Sequence, residues 1–238
     1  MIKAVIFDID GTLVDNDAAE RAAVQRIRRS YKPLSAGSET EVGDIWRRES
    51  ERFFEEYING RLTFNEQRVA RVQAVFEHFG ETISRDQASV VFNRYLHEYE
   101  VSWTLYEDVL PCLDSLKKYK LAVVSNGDSL QQRTKLSRTG LLDYFNPIVI
   151  SADINVAKPD SRIFEYCLLR LGLRREESVY VGDSYEKDMV GARNAGILGV
   201  MIDREKKKED CMIGETRVIN SLSDIWAVTS LPQYVDIV

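Results

Sequence analysis

The sequence predicts an α/β fold: a parallel β-sheet core flanked by helices, with a helical bundle inserted after the first strand. Three observations carry that reading. Short apolar β-forming runs recur as AVIF from residue 4, LAVV from 121, IVI from 148 and VYV from 179, and runs of this kind bounded by small polar residues mark buried strands. From residue 109 onward helical periodicities alternate with them, the pattern of a parallel sheet covered on both faces. Between residues 15 and 100 no strand signal occurs, and such an all-helical block forms a small bundle.

The first strand lies within residues 3–10 and stops at the turn Asp10-Gly11-Thr12. Four helices follow. The first covers about 17–31, before Pro33. The second covers about 41–58 and sets Trp46, Phe53, Phe54 and Tyr57 at helical spacing. The third and fourth open on capping boxes, Thr63 with Glu66 and Ser84 with Gln87, in which hydroxyl and N3 side chain each satisfy a free N–H. Val69, Val72, Phe76 and Phe79 give the third its apolar stripe, and Val91, Tyr95 and Tyr99 the fourth.

Beyond Trp103 come a helix at 109–119, a strand at 121–125 and a helix at 130–139 stopped by Gly140. A strand at 148–150 and a helix at 162–171 stopped by Gly172 follow. Then come a strand at 179–181, a helix at 186–195 stopped by Gly196, short strands at 199–202 and 217–219, and a last helix at 221–228. The chain thus divides into a core, 1–14 plus 102–238, and an inserted helical domain, 15–101. The mixed-charge run DREKKKED at 203–210 reads as a solvated loop.

Composition narrows the function. A chain of 238 residues that is 44% hydrophobic and 29% charged is neither disordered nor fibrous. No apolar run approaches the roughly 18 residues of a membrane span. The N-terminal apolar stretch, interrupted by Asp8, is too short for a signal peptide, so a cytoplasmic protein with no membrane partner is expected. A net charge of −6 argues against nucleic acid as a partner. Cys112, Cys167 and Cys211 form no CxxC pair and read as reduced thiols. His78 and His97 have no partner at ligand spacing, which speaks against zinc.

Ligands bind at the carboxyl ends of the strands of a parallel sheet. Strand one ends in Asp8-Ile9-Asp10-Gly11-Thr12, and strand two in Ser125-Asn126-Gly127-Asp128. Lys158-Pro159 follows strand three, and strand four ends in Gly182-Asp183-Ser184, with Asp188 about one turn on. One Asp at a strand end is ordinarily a turn or a cap, and Ser-Asn-Gly alone a tight turn. In this order along one rim they make a site. Crowded carboxylates resist joint ionisation, and oxygen-only ligands suit Mg²⁺. A cation, a lysine and several donors fit the oxygens of a transferring phosphoryl group.

The residues Asp8-Ile-Asp10-Gly-Thr-Leu-Val, Ser125-Asn-Gly, Lys158-Pro and Gly182-Asp183-Ser-Tyr-Glu-Lys-Asp188 resemble the four motifs of the haloacid dehalogenase-like (HAD) hydrolase superfamily. The resemblance implies a Rossmann-like core and makes the helical insertion a type 1 cap. It implies that Asp8 is the nucleophile, forming an aspartyl phosphate, and that Asp10 is the general acid and base. Asp8, the backbone carbonyl of Asp10 and Asp183 would hold Mg²⁺, with Asp188 bound through water or orienting Asp183. Ser125 and the Asn126 N–H would grip the phosphoryl oxygens, and Lys158 would neutralise Asp8 and phosphate.

Asp10 separates sub-classes, because halide leaves without a proton: its presence favours phosphate monoesters over carbon–halogen bonds. The segments 125–135, 140–145 and 163–167 look like the branch holding pyrimidine 5′-nucleotidases and N-acylneuraminate 9-phosphatase, which implies nucleoside monophosphates or sugar phosphates as substrates. A phosphomutase of the β-phosphoglucomutase type, a haloacid dehalogenase and a catalytically silent binding module are the alternatives. Within the cap, Asp17 and Arg21 are the candidates for choosing the substrate. The expected partner is a small phosphorylated metabolite, and the expected assembly a monomer or homodimer.

Overall fold

The computed structural model describes residues 1–205, 211–213 and 216–225. It divides into two compact units, Met1–Asp15 with Thr104–Val238, and Asn16–Trp103. The first is built on one sheet. β1 (Ala4–Phe7) lies between β2 (Lys120–Ser125) and β4 (Ser178–Gly182), with β3 (Ile148–Ile150) outside β2. β5 (Leu198–Ile202), β7 (Thr216–Ile219) and β6 (Cys211–Ile213) follow beyond β4. Every pairing is parallel except β6 with β7. β1 is buried throughout because it has a parallel neighbour on each side, which is why it carries no polar residue.

Among the described residues the α-helices of this unit are α6 (Val109–Ser115), α7 (Ser129–Arg138), α8 (Ser151–Ile154), α9 (Ser161–Leu171) and α10 (Val190–Asn194). One face of the sheet packs Ile6, Ala122 and Tyr180 against Phe164, Cys167, Met189 and Ala192. α9 ends at Gly172 in the left-handed conformation. Asp128 caps α7 by accepting from the Gln131 N–H.

The second unit contains α1 (Asn16–Ser30), α2 (Lys32–Ala36), α3 (Glu39–Ile58), α4 (Phe64–His78) and α5 (Arg85–Val101). Both expected capping boxes are present, and Ser38 with Glu41 makes a third that starts α3 two residues before the expected position. Val24, Ile27, Trp46, Val72, Phe76 and Tyr95 form its interior.

The structure corrects several local expectations. α6 stops at Ser115, four residues early. The expected helix 186–195 begins as a π-type turn, Tyr185–Met189, before α10. At the expected helix 221–228 the described residues form a single 3₁₀ turn, Leu222–Asp224, and residues 226–228 lie outside the described residues. β6 was not foreseen. Of the run 203–210 only residues 203–205 are described, and Arg204 is not solvated there. Its guanidinium holds Asp108 with Nη1 at 2.7 and 2.9 Å, and donates from Nη2 to the Thr12 carbonyl at 2.6 Å. Among the described residues no helix is long and apolar enough to cross a membrane. Cys112 and Cys167 are free and buried, and burial pushes both thiols up to about 12.

Candidate active site

Asp8 is the first residue past β1, and its N–H still donates to Val181 O at 2.9 Å. The chain then curls back, with Leu13 and Val14 N–H both donating to Ile9 O. The curl needs Gly11. Its φ is +72°, and a Cβ there would lie 2.3 Å from Asp183 Oδ2. A second close approach occurs at Gly182, where a Cβ would lie 2.4 Å from Asp188 Cγ. The two glycines leave the room that the carboxylates occupy.

Asp8, Asp183 and Asp188 each bring one oxygen to within 4.8 Å of the others. Lys158 sets its ammonium against this group: its Nζ lies 2.8 Å from Asp8 Oδ1, 2.7 Å from Asp188 Oδ1 and 3.0 Å from Tyr180 Oη. It donates hydrogen bonds to Asp188 and Tyr180 and holds Asp8 as an ion pair. Asp188 is also fully engaged, with Oδ1 taken by Lys158 and Tyr180 and Oδ2 accepting from Ser184 N–H at 3.0 Å.

Three carboxylates against one lysine leave two formal negative charges, which one divalent cation cancels. The protonation behaviour agrees. Burial pushes Asp8 up to about 6; Lys158 opposes this, while Asp188 and Asp10 add to it. Burial, with Asp8 and Asp188, raises Asp183 well above the usual range. Burial disfavours the Lys158 ammonium, but Asp188 and Asp8 outweigh it and raise that group. An all-oxygen donor set with excess negative charge fits Mg²⁺.

Ser125 ends β2 and is buried. The Asn126 side chain is spent on the backbone of Lys158: Oδ1 accepts from Lys158 N–H at 2.8 Å and Nδ2 donates to Lys158 O at 3.0 Å. That leaves only the backbone of Asn126 to meet a ligand. Asp10 is partly exposed, and both its oxygens are held. Oδ1 is ion-paired with Lys135, and Oδ2 accepts from Gln132 Nε2 at 2.8 Å.

All seven core residues expected from the sequence therefore lie in the first unit, around the ends of β1, β2 and β4. Three more, Gln132, Lys135 and Tyr180, escaped the sequence reading. Tyr180 offered a signal, since a buried tyrosine needs a partner for its hydroxyl. Asp17 and Arg21 lie on α1 in the other unit. Arg21 is exposed and lines a cavity of about 450 Å³ with Glu20, Gln25, Thr40, Asp44 and Arg47.

Known proteins resemble this chain in sequence and in fold. The chain is 33% identical to the glyceraldehyde 3-phosphate phosphatase of Methanopyrus kandleri over 88% of its length and 87% of that protein. It is 26% identical to a pyrimidine 5′-nucleotidase of Escherichia coli over 93% and 95% of the two chains. A magnesium-bound HAD hydrolase of Bacillus subtilis shares the fold with a TM-score of 0.79, 21% identity and coverage of 97% and 99%. The family described as haloacid dehalogenase-like hydrolase matches residues 2–196. The chain belongs to the haloacid dehalogenase-like hydrolases.

Proposed function

We propose that the protein is a Mg²⁺-dependent phosphatase that hydrolyses small phosphate monoesters through an aspartyl phosphate on Asp8. The observation that carries this is the pair Asp8 and Asp10: a buried carboxylate beside Lys158, and two residues on a second carboxylate held by its own donors. A phosphate ester of an alcohol needs both, because its basic leaving oxygen requires a proton. Similarity to phosphatases and nucleotidases supports the same class.

In this reading Asp8 attacks phosphorus. Asp10 gives a proton to the leaving oxygen and later takes one from water, help worth roughly 10²–10⁴ in rate. Lys158 compensates Asp8 and the incoming phosphate. Ser125 Oγ and the Asn126 N–H donate to phosphoryl oxygens. Mg²⁺ would be held by Asp8, Asp183 and the Asp10 carbonyl, and would supply positive charge to the phosphoryl oxygens. Asp188 supports this set by fixing Lys158 and the Ser184 N–H.

Asp17 and Arg21 are proposed to select the substrate, which belongs to the nucleoside monophosphates and sugar phosphates. The protein is proposed to act in the cytoplasm on a diffusible metabolite, as a monomer or homodimer. The test is hydrolysis of p-nitrophenyl phosphate and of a panel of phosphorylated metabolites, with Mg²⁺ and with excess EDTA. Release that requires Mg²⁺ is expected, and full activity in EDTA would sink the metal assignment.

A further inference from the structure

We infer that Gln132 and Lys135, on one face of α7, are positioning residues for the Asp10 carboxylate; this rests on the phosphatase reading above. Lys135 Nζ is ion-paired with Asp10 Oδ1, and Gln132 Nε2 lies 2.8 Å from Asp10 Oδ2. Each carboxylate oxygen has its own donor, and two points of attachment set both the place and the rotation of the group. Gln132 Nε2 also lies 3.2 Å from Ser125 Oγ and 3.3 Å from Asn126 O. It therefore ties the acid–base group to the turn that faces the phosphoryl oxygens.

Packing alone does not account for these side chains. Gln132 is 3% exposed and Lys135 1%, whereas Leu130 on the same helix is 77% exposed. Burying an ammonium and an amide while leaving a leucine in water runs against the hydrophobic effect. The arrangement is offset by what the two groups bind, and Asp10 is a partner of both.

The reaction shows where position matters. In the first step an Asp8 oxygen bonds to phosphorus, the bond from phosphorus to the leaving oxygen breaks, and that oxygen takes the Asp10 proton. In the second, a water oxygen bonds to phosphorus, the bond to Asp8 breaks, and the water's proton passes to Asp10. A basic alkoxide cannot leave without the first transfer, whereas p-nitrophenolate can. Every substrate needs the second. kcat/KM reports steps through the first phosphoryl transfer, and kcat the slower of the two.

Lys135→Met and Gln132→Leu, in the full chain with Mg²⁺, are therefore expected to behave differently on two substrates. On the best alkyl phosphate of the metabolite panel, kcat/KM falls by about 100-fold. On p-nitrophenyl phosphate kcat/KM falls less than about fivefold, while kcat and KM drop together and a burst of p-nitrophenolate appears. Lys135→Arg restores part of the alkyl activity. Melting curves identify folded variants, and Gln132→Leu carries the test if Lys135→Met does not fold. Equal proportional losses on both substrates, without a burst, overturn the inference alone. A wild type that hydrolyses neither substrate overturns the phosphatase reading and the inference with it.

Discussion

Lys158 Nζ lies 2.7 Å from Asp188 Oδ1, and the two side chains are 3% and 0% exposed. Removing one partner of so buried a pair strands the other's charge, at a cost of roughly 3–5 kcal/mol. Lys158→Met leaves Asp8, Asp183 and Asp188 facing one another without their lysine. The expected outcome in metal-free buffer is a melting temperature lower by about 6–20 °C, taking roughly 2–4 °C per kcal/mol for a chain of this size. Mg²⁺ should recover more of the loss than it adds to the wild type. Calorimetry with and without Mg²⁺ decides, and a variant that gains less than wild type speaks against a metal among these carboxylates.

Asp8→Asn is expected to fold normally and to lose nearly all turnover, because an amide is a poor nucleophile. Beryllium fluoride with Mg²⁺ should inhibit the wild type by imitating phospho-aspartate. A variant retaining more than about a tenth of wild-type kcat would rule out covalent catalysis through this residue, since loss of a nucleophile costs orders of magnitude.

Through Asp8 and Asp183, acidity should act on the metal-free protein in the opposite sense to ordinary acid denaturation. Burial raises Asp8 from 3.8 to about 6 in the folded chain. A carboxyl raised on folding contributes stability that is present below its unfolded value and lost as pH rises through its folded one. The contribution of Asp8 is therefore lost between pH 3.8 and about 6, and Asp183, shifted the same way, adds to the trend. Mg²⁺ binding requires the ionised forms. The rise in melting temperature on adding Mg²⁺ should be larger at pH 7.5 than at pH 5, and a larger rise at pH 5 contradicts the assignment.

Gly182→Ala places a methyl group 2.4 Å from Asp188 Cγ and 2.6 Å from its Cβ. Asp188 cannot withdraw without giving up Lys158, Tyr180 and the Ser184 N–H. Overpacking of this kind costs about 1–3 kcal/mol, and titration calorimetry should show weaker Mg²⁺ binding. Unchanged Mg²⁺ affinity in a folded variant would mean that Asp188 does not organise the metal ligands.

Arg21→Ala and Asp17→Ala are expected to reorder the preferred metabolites. kcat/KM for p-nitrophenyl phosphate should fall much less, because its leaving group offers little to recognise. The check is kcat/KM for the best metabolite against that for p-nitrophenyl phosphate. Equal proportional losses would assign the two residues to the fold.

Much of the site was legible because β1, β2 and β4 of the parallel sheet each end in a short motif. Asp8 and Asp10, Ser125 and Asn126, and Asp183 follow apolar runs directly, so the strand ends could be marked before any contact was known. The capping boxes at Thr63 and Ser84 were legible for the same reason: both partners lie within one turn. The helix expected at 186–195 was not, because Asp188 takes a π-type turn to reach Lys158 across the sheet.

What the sequence by itself determined was the order of strands and helices and the carboxylates at the strand ends, since periodicity, caps and turns depend on neighbours a few residues apart. Only the tertiary structure decided that α7 turns Gln132 and Lys135 inward and Leu130 outward, against the hydrophobic pattern of that helix. It likewise decided that Tyr180 meets Lys158 and that Arg204 reaches Asp108 and Thr12. These partners lie 22 to 192 residues apart. They meet through the strand order β3-β2-β1-β4-β5-β7-β6, and a buried charge takes whichever partner that order brings within reach, because an unpaired one is too costly to bury.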